Sequence, residues 1–235
     1  MKQIRLDSRL AAAAKYATFG GVAADIGTDH AFLPCYLIQS GICRRALACD
    51  IRQGPLDKAK QTVDEYGLND KVRLILCDGL CGIDDTDKAE ITDIIIAGMG
   101  GEMIAKILAD SPWVQNKHYN LIFQPMTKAH TLREYLCDNG YEITDETACI
   151  AANKHYTVIN ARYCGKLRQY DMPYLYAGAL LCKNDDDSCE YKRMIANKLL
   201  AAARGMQSDE HTAEQYGDKA AAYIGCANEL LDGVQ

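Results

Sequence analysis

The stretch Val22-Ala-Ala-Asp-Ile-Gly-Thr-Asp-His-Ala-Phe-Leu-Pro34 decides the fold. Apolar residues run into Asp25, Gly27 follows, then a turn-prone Thr28-Asp29, then a segment that reads as a helix. This is the pattern of a buried parallel strand that breaks sharply at the carboxyl edge of an open α/β sheet, where such sheets bind ligands. A dinucleotide loop needs three glycines, G-x-G-x-x-G, so that backbone can approach a pyrophosphate. Here there is one. A carboxylate ending the strand and a single glycine suit a nucleoside ligand without that pyrophosphate, and S-adenosylmethionine is the expected one.

Outward from this stretch, strand-like runs alternate with helix-like ones. Residues 22–25, 46–50, 72–77, 93–97 and 121–124 are short and mostly apolar, and 55–66 and 102–108 between them have helical spacing. The alternation predicts a parallel sheet with helices on both faces. A helix over 129–138 stops at Asn139-Gly140. Two further strands, 141–150 and 155–164, are then joined by Ala151-Ala-Asn-Lys154 as an antiparallel hairpin. Five parallel strands plus that hairpin make the seven-stranded, Rossmann-like sheet of class I methyltransferases.

The chain has 235 residues, 49% of them apolar, enough for one ordinary domain and an appendage. No apolar run reaches the roughly 20 residues of a membrane span, and the first nine residues lack the apolar core of a secretory signal. The eleven cysteines form no C-x-x-C pair, which argues against structural zinc or a disulfide framework. Cys49 and Cys77 fall in strand-like runs, so the set reads as reduced core thiols of a cytoplasmic protein without a metal. The oligomeric state is left open by the sequence, with a monomer favoured.

The net charge is −6. Residues 1–170 hold 20 basic against 21 acidic side chains, and residues 171–235 hold 6 against 11. Arg5, Arg9 and Lys15, then Arg44, Arg45 and Arg52, then Arg162, Lys166 and Arg168 are local basic groups. They read either as a solvated mixed surface or as contacts to phosphate.

The tail differs in kind. Asn184-Asp-Asp-Asp-Ser188 is a polar turn that offers Ser188 as an N-cap. Met194, Ile195, Leu199 and Leu200 recur at helical spacing, as do Tyr216, Tyr223, Ile224, Leu230 and Leu231. The first helix is basic (Lys192, Arg193, Lys198, Arg204) and the second acidic (Asp209, Glu210, Glu214, Asp218). They read as a coiled-coil hairpin packed by opposite charge, or as two helices completing the main core. We divide the chain into a catalytic unit, residues 1–168, and a helical hairpin, residues 169–235.

Four sites mark the ends of successive strands. Asp25 and Gly27 follow the first. Asp50-Ile51 ends the second, 23 residues after Gly27, where a carboxylate accepts from ribose hydroxyls. Asp78-Gly79 follows the third, at the place of an adenine edge. Ala97-Gly98-Met99-Gly100-Gly101 follows the fourth, at the mouth of the pocket. Any one aspartate is a turn residue more often than a ligand. Four in consecutive order point to a nucleoside-type cofactor.

Asp25-Ile-Gly-Thr-Asp-His-Ala-Phe-Leu-Pro34, Ile96-Ala-Gly-Met-Gly-Gly101 and Gln124-Pro125 together resemble the bacterial tRNA (adenine 22-N1)-methyltransferase family. Arg5-Leu6, Ser8-Arg9-Leu10 and the tail extend the resemblance over nearly the whole chain. It implies a class I domain, a C-terminal coiled-coil hairpin, and methyl transfer to N1 of an adenine in tRNA. Thr28 and Phe32 stand where serine and tyrosine are frequent, and Asp50 where glutamate occurs, swaps that keep hydroxyl, ring and carboxylate.

The chemistry agrees. Enzymes acting on exocyclic amines often carry Asn/Asp-Pro-Pro-Tyr after the fourth strand; this chain carries Ala97-Gly98-Met99-Gly100 there. Adenine N1 has an in-plane lone pair, so catalysis rests mainly on alignment. A carboxylate accepting from N6 would stabilise the growing positive charge. Asp29 is the candidate, either touching the base or holding the loop, and His30 is catalytic or a structural partner within it. Met99 packs either on an adenine face or in the core. Arg9, Gly101, Gln124 and Pro125 are expected on the substrate side. Rival readings are a methyltransferase for a non-tRNA substrate, a NAD-dependent oxidoreductase, and a non-catalytic RNA-binding protein on the same fold.

Overall fold

The computed structural model describes residues 3–208 and 210–234. Seven strands form one sheet: β1 (Gly21–Ile26), β2 (Cys43–Asp50), β3 (Val72–Leu76), β4 (Asp93–Gly100), β5 (Asn120–Thr127), β6 (Tyr141–Ala151) and β7 (Lys154–Tyr163). Their order is β3-β2-β1-β4-β5-β7-β6. The first five are parallel, and β7 pairs antiparallel with both β5 and β6. The order reverses between β1 and β4, the switch point at which such sheets take ligands. Every residue of β1 is buried, as the continuous apolar run requires.

Helices cover both faces: α1 (Ser8–Ala14), α2 (Phe32–Gln39), α3 (Gln53–Tyr66), α4 (Asp85–Glu90), α5 (Gly101–Ala109) and α6 (Ala129–Asp138). One core, around Ile94, Ile96, Phe123 and Leu132, lies on one side; the other, around Ala23, Leu37, Ile95 and Val158, lies opposite. Neighbours Ile94, Ile95 and Ile96 alternate between the two, which is the period of a strand buried on both sides.

Three local readings change. The hairpin loop is Ala152-Asn153 alone, with φ of 47° and 58°, and pairing runs to Ala151 and Lys154. Two positive φ values make the tight turn whose twist suits a hairpin. The Ala97–Gly100 stretch is a continuation of β4, with the register slipping between Ala97 and Met99 and again before Gly100. It is a bulge, not a turn, and bulges next to ligand sites re-aim side chains. Cys77 lies one residue beyond β3, where its thiol donates to the Gly79 carbonyl at 3.3 Å and the neighbouring Cys49 thiol draws it below the usual thiol range, while Cys77 and burial push Cys49 up.

In the tail, α7 (Met172–Ala177) leads through a short 3-10 turn to α8 (Asp186–Met206) and α9 (Glu210–Asp232). The cap of α8 is Asp185, not Ser188: Asp185 accepts from the Ser188 amide at 3.0 Å and its hydroxyl at 2.7 Å. An aspartate three residues earlier reaches the exposed amides first. The described seam between α8 and α9 is apolar, built on Ala196, Leu199, Cys226, Ala227 and Leu230. Among the described residues no ion pair joins the two helices. Lys192 turns inward to the Lys183 and Gly233 carbonyls, at 2.8 and 3.0 Å, and Arg193 pairs with Glu190 of its own helix at 2.9 Å. Of the acidic set, Asp209 lies outside the described residues, as do the side chains of Glu210 and Glu214.

The tail is not a detached appendage. Arg133 of α6 and Glu146 of β6 are both fully buried and form a two-pronged ion pair, at 3.0 and 2.7 Å. Arg133 also donates to the Leu175 and Tyr176 carbonyls of α7, at 2.8 and 2.9 Å. Gly178 lies against this pair with φ +58°, and a Cβ there would overlap Glu146 Oε1. Only glycine fits. Removing one partner of a buried ion pair strands the other charge, so Arg133→Met should destabilise the fold by about 3–5 kcal/mol in urea unfolding. A loss under about 1 kcal/mol would mean that water reaches Glu146.

Candidate active site

The carboxyl edge of the sheet gathers the strand-end residues. At the end of β1, Asp25 is 7% exposed. Burial drives its carboxyl up to about 6, the Thr28 hydroxyl hydrogen bond works against that, and Asp50 adds repulsion. Thr28 is itself buried, and its hydroxyl also accepts from the Ala31 amide at 3.2 Å. The Gly27 and Thr28 amides both donate to the Cys49 carbonyl, at 2.8 and 2.9 Å, which staples the loop across β2. Gly27 has φ +80°, and a Cβ there would overlap the Met99 methyl. The loop thus needs glycine for its backbone, and a side chain there would also displace the Met99 methyl. Ala31 then takes φ 52° at the entrance to α2, a conformation that costs an L-residue roughly 1–2 kcal/mol.

At the end of β2, Asp50 is buried and accepts from the Arg52 amide at 2.8 Å, while its neighbour Ile51 is 59% exposed. A buried carboxylate beside an exposed aliphatic side chain offers an acceptor and an apolar face together. After β3, Asp78 is exposed and Gly79 has φ +55°. These groups fit a nucleoside-type ligand: acceptors for hydroxyls, an apolar platform, and a glycine turn without a pyrophosphate cradle.

The residues expected on the substrate side meet at the ends of β4 and β5. Gln124 is fully buried; its Oε1 accepts from the Gly98 amide at 3.2 Å and from Arg9 at 3.1 Å. Arg9 also donates to Asp7 at 2.6 Å and lies 5.6 Å over the Tyr156 ring. Met99 packs against the core beside Gly27. Gly101 opens α5, and a Cβ there would overlap the Lys128 carbonyl. Pro125 is buried next to Gln124.

Asp29 stands apart from this buried set. Its side chain is 67% exposed, 3.3 Å from His30 and 3.7 Å from Lys58 of α3. His30 stacks on Phe32 at 5.3 Å. Sequence reasoning missed Lys58, which a helix one strand away delivers, and Tyr156, which lies beyond the hairpin. Neither has a local motif.

Helix starts show a division. The helices that open directly off β1, β2, β4 and β5 have Ala31, Arg52, Gly100 and Lys128 at the N-cap and no side-chain cap. Those of α1, α4, α7 and α8 are each capped by an aspartate, namely Asp7, Asp84, Asp171 and Asp185. Uncapped starts leave amide donors and the positive end of the helix dipole at the sheet's edge.

The switch point, the single-glycine loop and the acid at the end of β2 define a class I S-adenosylmethionine-dependent methyltransferase. Residues 6–159 match the methyltransferase domain family. The chain is 38% identical to the tRNA (adenine(22)-N(1))-methyltransferase of Bacillus subtilis over 181 residues, 77% of this chain and 75% of that one. It belongs to that family. The crystal structure of the B. subtilis m1A22 tRNA methyltransferase TrmK superposes with a TM-score of 0.85 at 28% identity, covering 98% of this chain and all of that one. A Streptococcus pneumoniae putative tRNA (m1A22) methyltransferase in complex with S-adenosyl-L-methionine gives 0.80 at 27% identity, over 95% and 98% of the two chains.

The raised Asp25 carboxyl has a consequence for stability. Between the unfolded value of 3.8 and the folded value of about 6, the folded chain holds a proton that the unfolded chain has lost. Stability therefore falls as pH rises through that window. Asp25→Asn does not titrate, so its stability relative to the parent should climb by about 2 kcal/mol from pH 4 to pH 7. Urea midpoints measured across that range check this; parallel curves would show that Asp25 ionises freely.

Proposed function

We propose that this chain methylates N1 of adenine 22 in tRNA, with S-adenosylmethionine as the methyl donor. What carries the reading is the placement of Asp25, Gly27, Asp50, Gly98, Met99 and Gln124 along one sheet edge, in a member of this family. S-adenosylmethionine supplies the electrophile, a methyl carbon whose bond to sulfur breaks with the electron pair going to sulfur. The chain's own residues hold, orient and screen.

Asp50 takes the ribose hydroxyls, Ile51 lies along the adenine, and Asp78-Gly79 meets its edge. Asp25, Gly27 and Ala97–Gly100 line the remainder of the donor. Gln124 is fixed by Gly98 and Arg9, so with Pro125 it forms a rigid wall for the target base. Gly101 lets α5 start close behind. Asp29 accepts from the adenine N6 amino group and stabilises the cation that forms as N1 takes the methyl. His30 and Lys58 orient the Asp29 carboxylate. Residues 1–168 form the catalytic unit, and 169–235 the part that engages RNA, docked on it through Arg133.

Nucleoside mass spectrometry of tRNA treated with the pure protein should show N1-methyladenosine; unmodified tRNA at saturating donor would reject the activity. Asp50→Ala should weaken S-adenosylmethionine binding by about 1–3 kcal/mol in calorimetry, because ribose donors lose their acceptor. Asp29→Ala should bind the donor normally yet lose on the order of 10²–10³ in single-turnover rate, as lost electrostatic contacts do. A rate within about threefold of the parent would leave Asp29 a loop residue.

A further inference from the structure

Beyond the Gln124 wall, the same edge of the sheet holds a cavity of about 310 Å³ that shares Pro125 and Tyr156 with the site described above. Its floor is the start of α6 and the start of β7, and its far side is the tail: Tyr176, Lys198, Ala202 and Tyr223. The tail hairpin is thus built into the edge rather than set apart from the strand-end motifs. The size falls within the range of small-ligand pockets.

Three observations set its chemistry. His130 and Tyr176 form a stacked pair, with centroids 4.9 Å apart and planes 20° from parallel, and Tyr223 meets Tyr176 edge-on at 6.2 Å. His155 Nδ1 is buried in the lining without a hydrogen-bond partner. Lys198 is exposed at the rim. Aromatic faces stack a base whatever its identity. A buried ring nitrogen without a partner calls for one on the ligand, and a cation at the rim suits a phosphate. A nucleotide has all three counterparts.

On the proposed function the target adenine lies at Gln124 and Gly98-Met99, next to the cavity: Pro125 borders both, and Arg9 bonds Gln124 at 3.1 Å while lying 5.6 Å over the ring of Tyr156, a lining residue. We propose that the cavity receives a second nucleobase of the tRNA, adjacent to the one methylated and flipped out of its own stack. The inference rests on the tRNA reading above. On this reading the hairpin closes one side of a pocket that holds the RNA strand in register while the neighbouring base reacts.

The experiment uses the full chain. Ala202→Phe fills the cavity from an exposed position of α8 without removing a packed group. It should raise KM for tRNA by about tenfold or more, with kcat at saturating tRNA and the donor Kd within about twofold, as loss of uniform binding requires. Lys198→Ala should raise KM by a few-fold and lower the salt slope of tRNA binding by about one. With S-adenosylhomocysteine filling the donor site, adenosine 5′-monophosphate should shift the ring signals of His130 and His155 in the parent and leave them in place in Ala202→Phe. Should Ala202→Phe fold poorly, Lys198→Ala and the nucleotide titration of the parent decide. A parent that methylates no tRNA overturns the functional reading. An active parent whose variants keep their KM and whose histidines ignore the nucleotide overturns the cavity assignment alone.

Discussion

The Arg133–Glu146 pair fixes how the two parts of this chain sit together. It is buried completely and bonded at both prongs. Thr157 of β7 donates to Glu146 at 3.1 Å, and the Leu175 and Tyr176 carbonyls of α7 accept from Nη1 of Arg133. One ion pair therefore ties α6, the antiparallel edge of the sheet and the first tail helix. A buried pair is weak as a source of stability, because desolvation offsets most of its attraction, but it is demanding about geometry. Here geometry is the product. The tail is held where it walls the carboxyl edge, and Gly178 is the backbone's concession to that closeness.

The sheet's edge then reads as a line of compartments. On the proposed function, loops after β1, β2 and β3 form the donor end, the β4 bulge with Gln124 forms the middle, and the start of β7 with the tail forms the far end. Only the middle needs precision at the level of single bonds, and there the structure uses backbone: Gly98 N–H holds Gln124, and Gln124 holds Arg9. The antiparallel β7 matters for a simple reason. Running opposite to β5, it brings its first residues, His155 to Thr157, to the edge where the parallel strands end.

Much of this is legible from residues alone. A continuous apolar run ending in Asp25 and Gly27 can hardly be anything but a buried strand and its loop, and the acids at later strand ends follow in order. What cannot be read is contact across the sequence. Nothing local marks Arg133 as buried, since an arginine at that point of an amphipathic helix reads as surface until Glu146, thirteen residues away, is placed against it. Ser188 reads as a cap because serine is a good one, and Asp185 is simply better placed. Opposite helix charges draw attention to an electrostatic seam, while the described part of it is an apolar one of Ala196, Ala227 and Leu230. The β4 bulge reads as a turn because glycines mark both.

The uneven capping of the helices ties stability to occupancy. Each missing side-chain cap forgoes about 1 kcal/mol, and less at Gly100, and all four starts open from the carboxyl edge of the sheet, where ligand is proposed to bind. The chain is held back from its full stability at the place where it works. A ligand present at a hundred times its Kd returns about 2.7 kcal/mol, comparable to several caps. The persistence of the folded protein thus becomes a gauge of donor supply: molecules without ligand open first and are the first available to proteases.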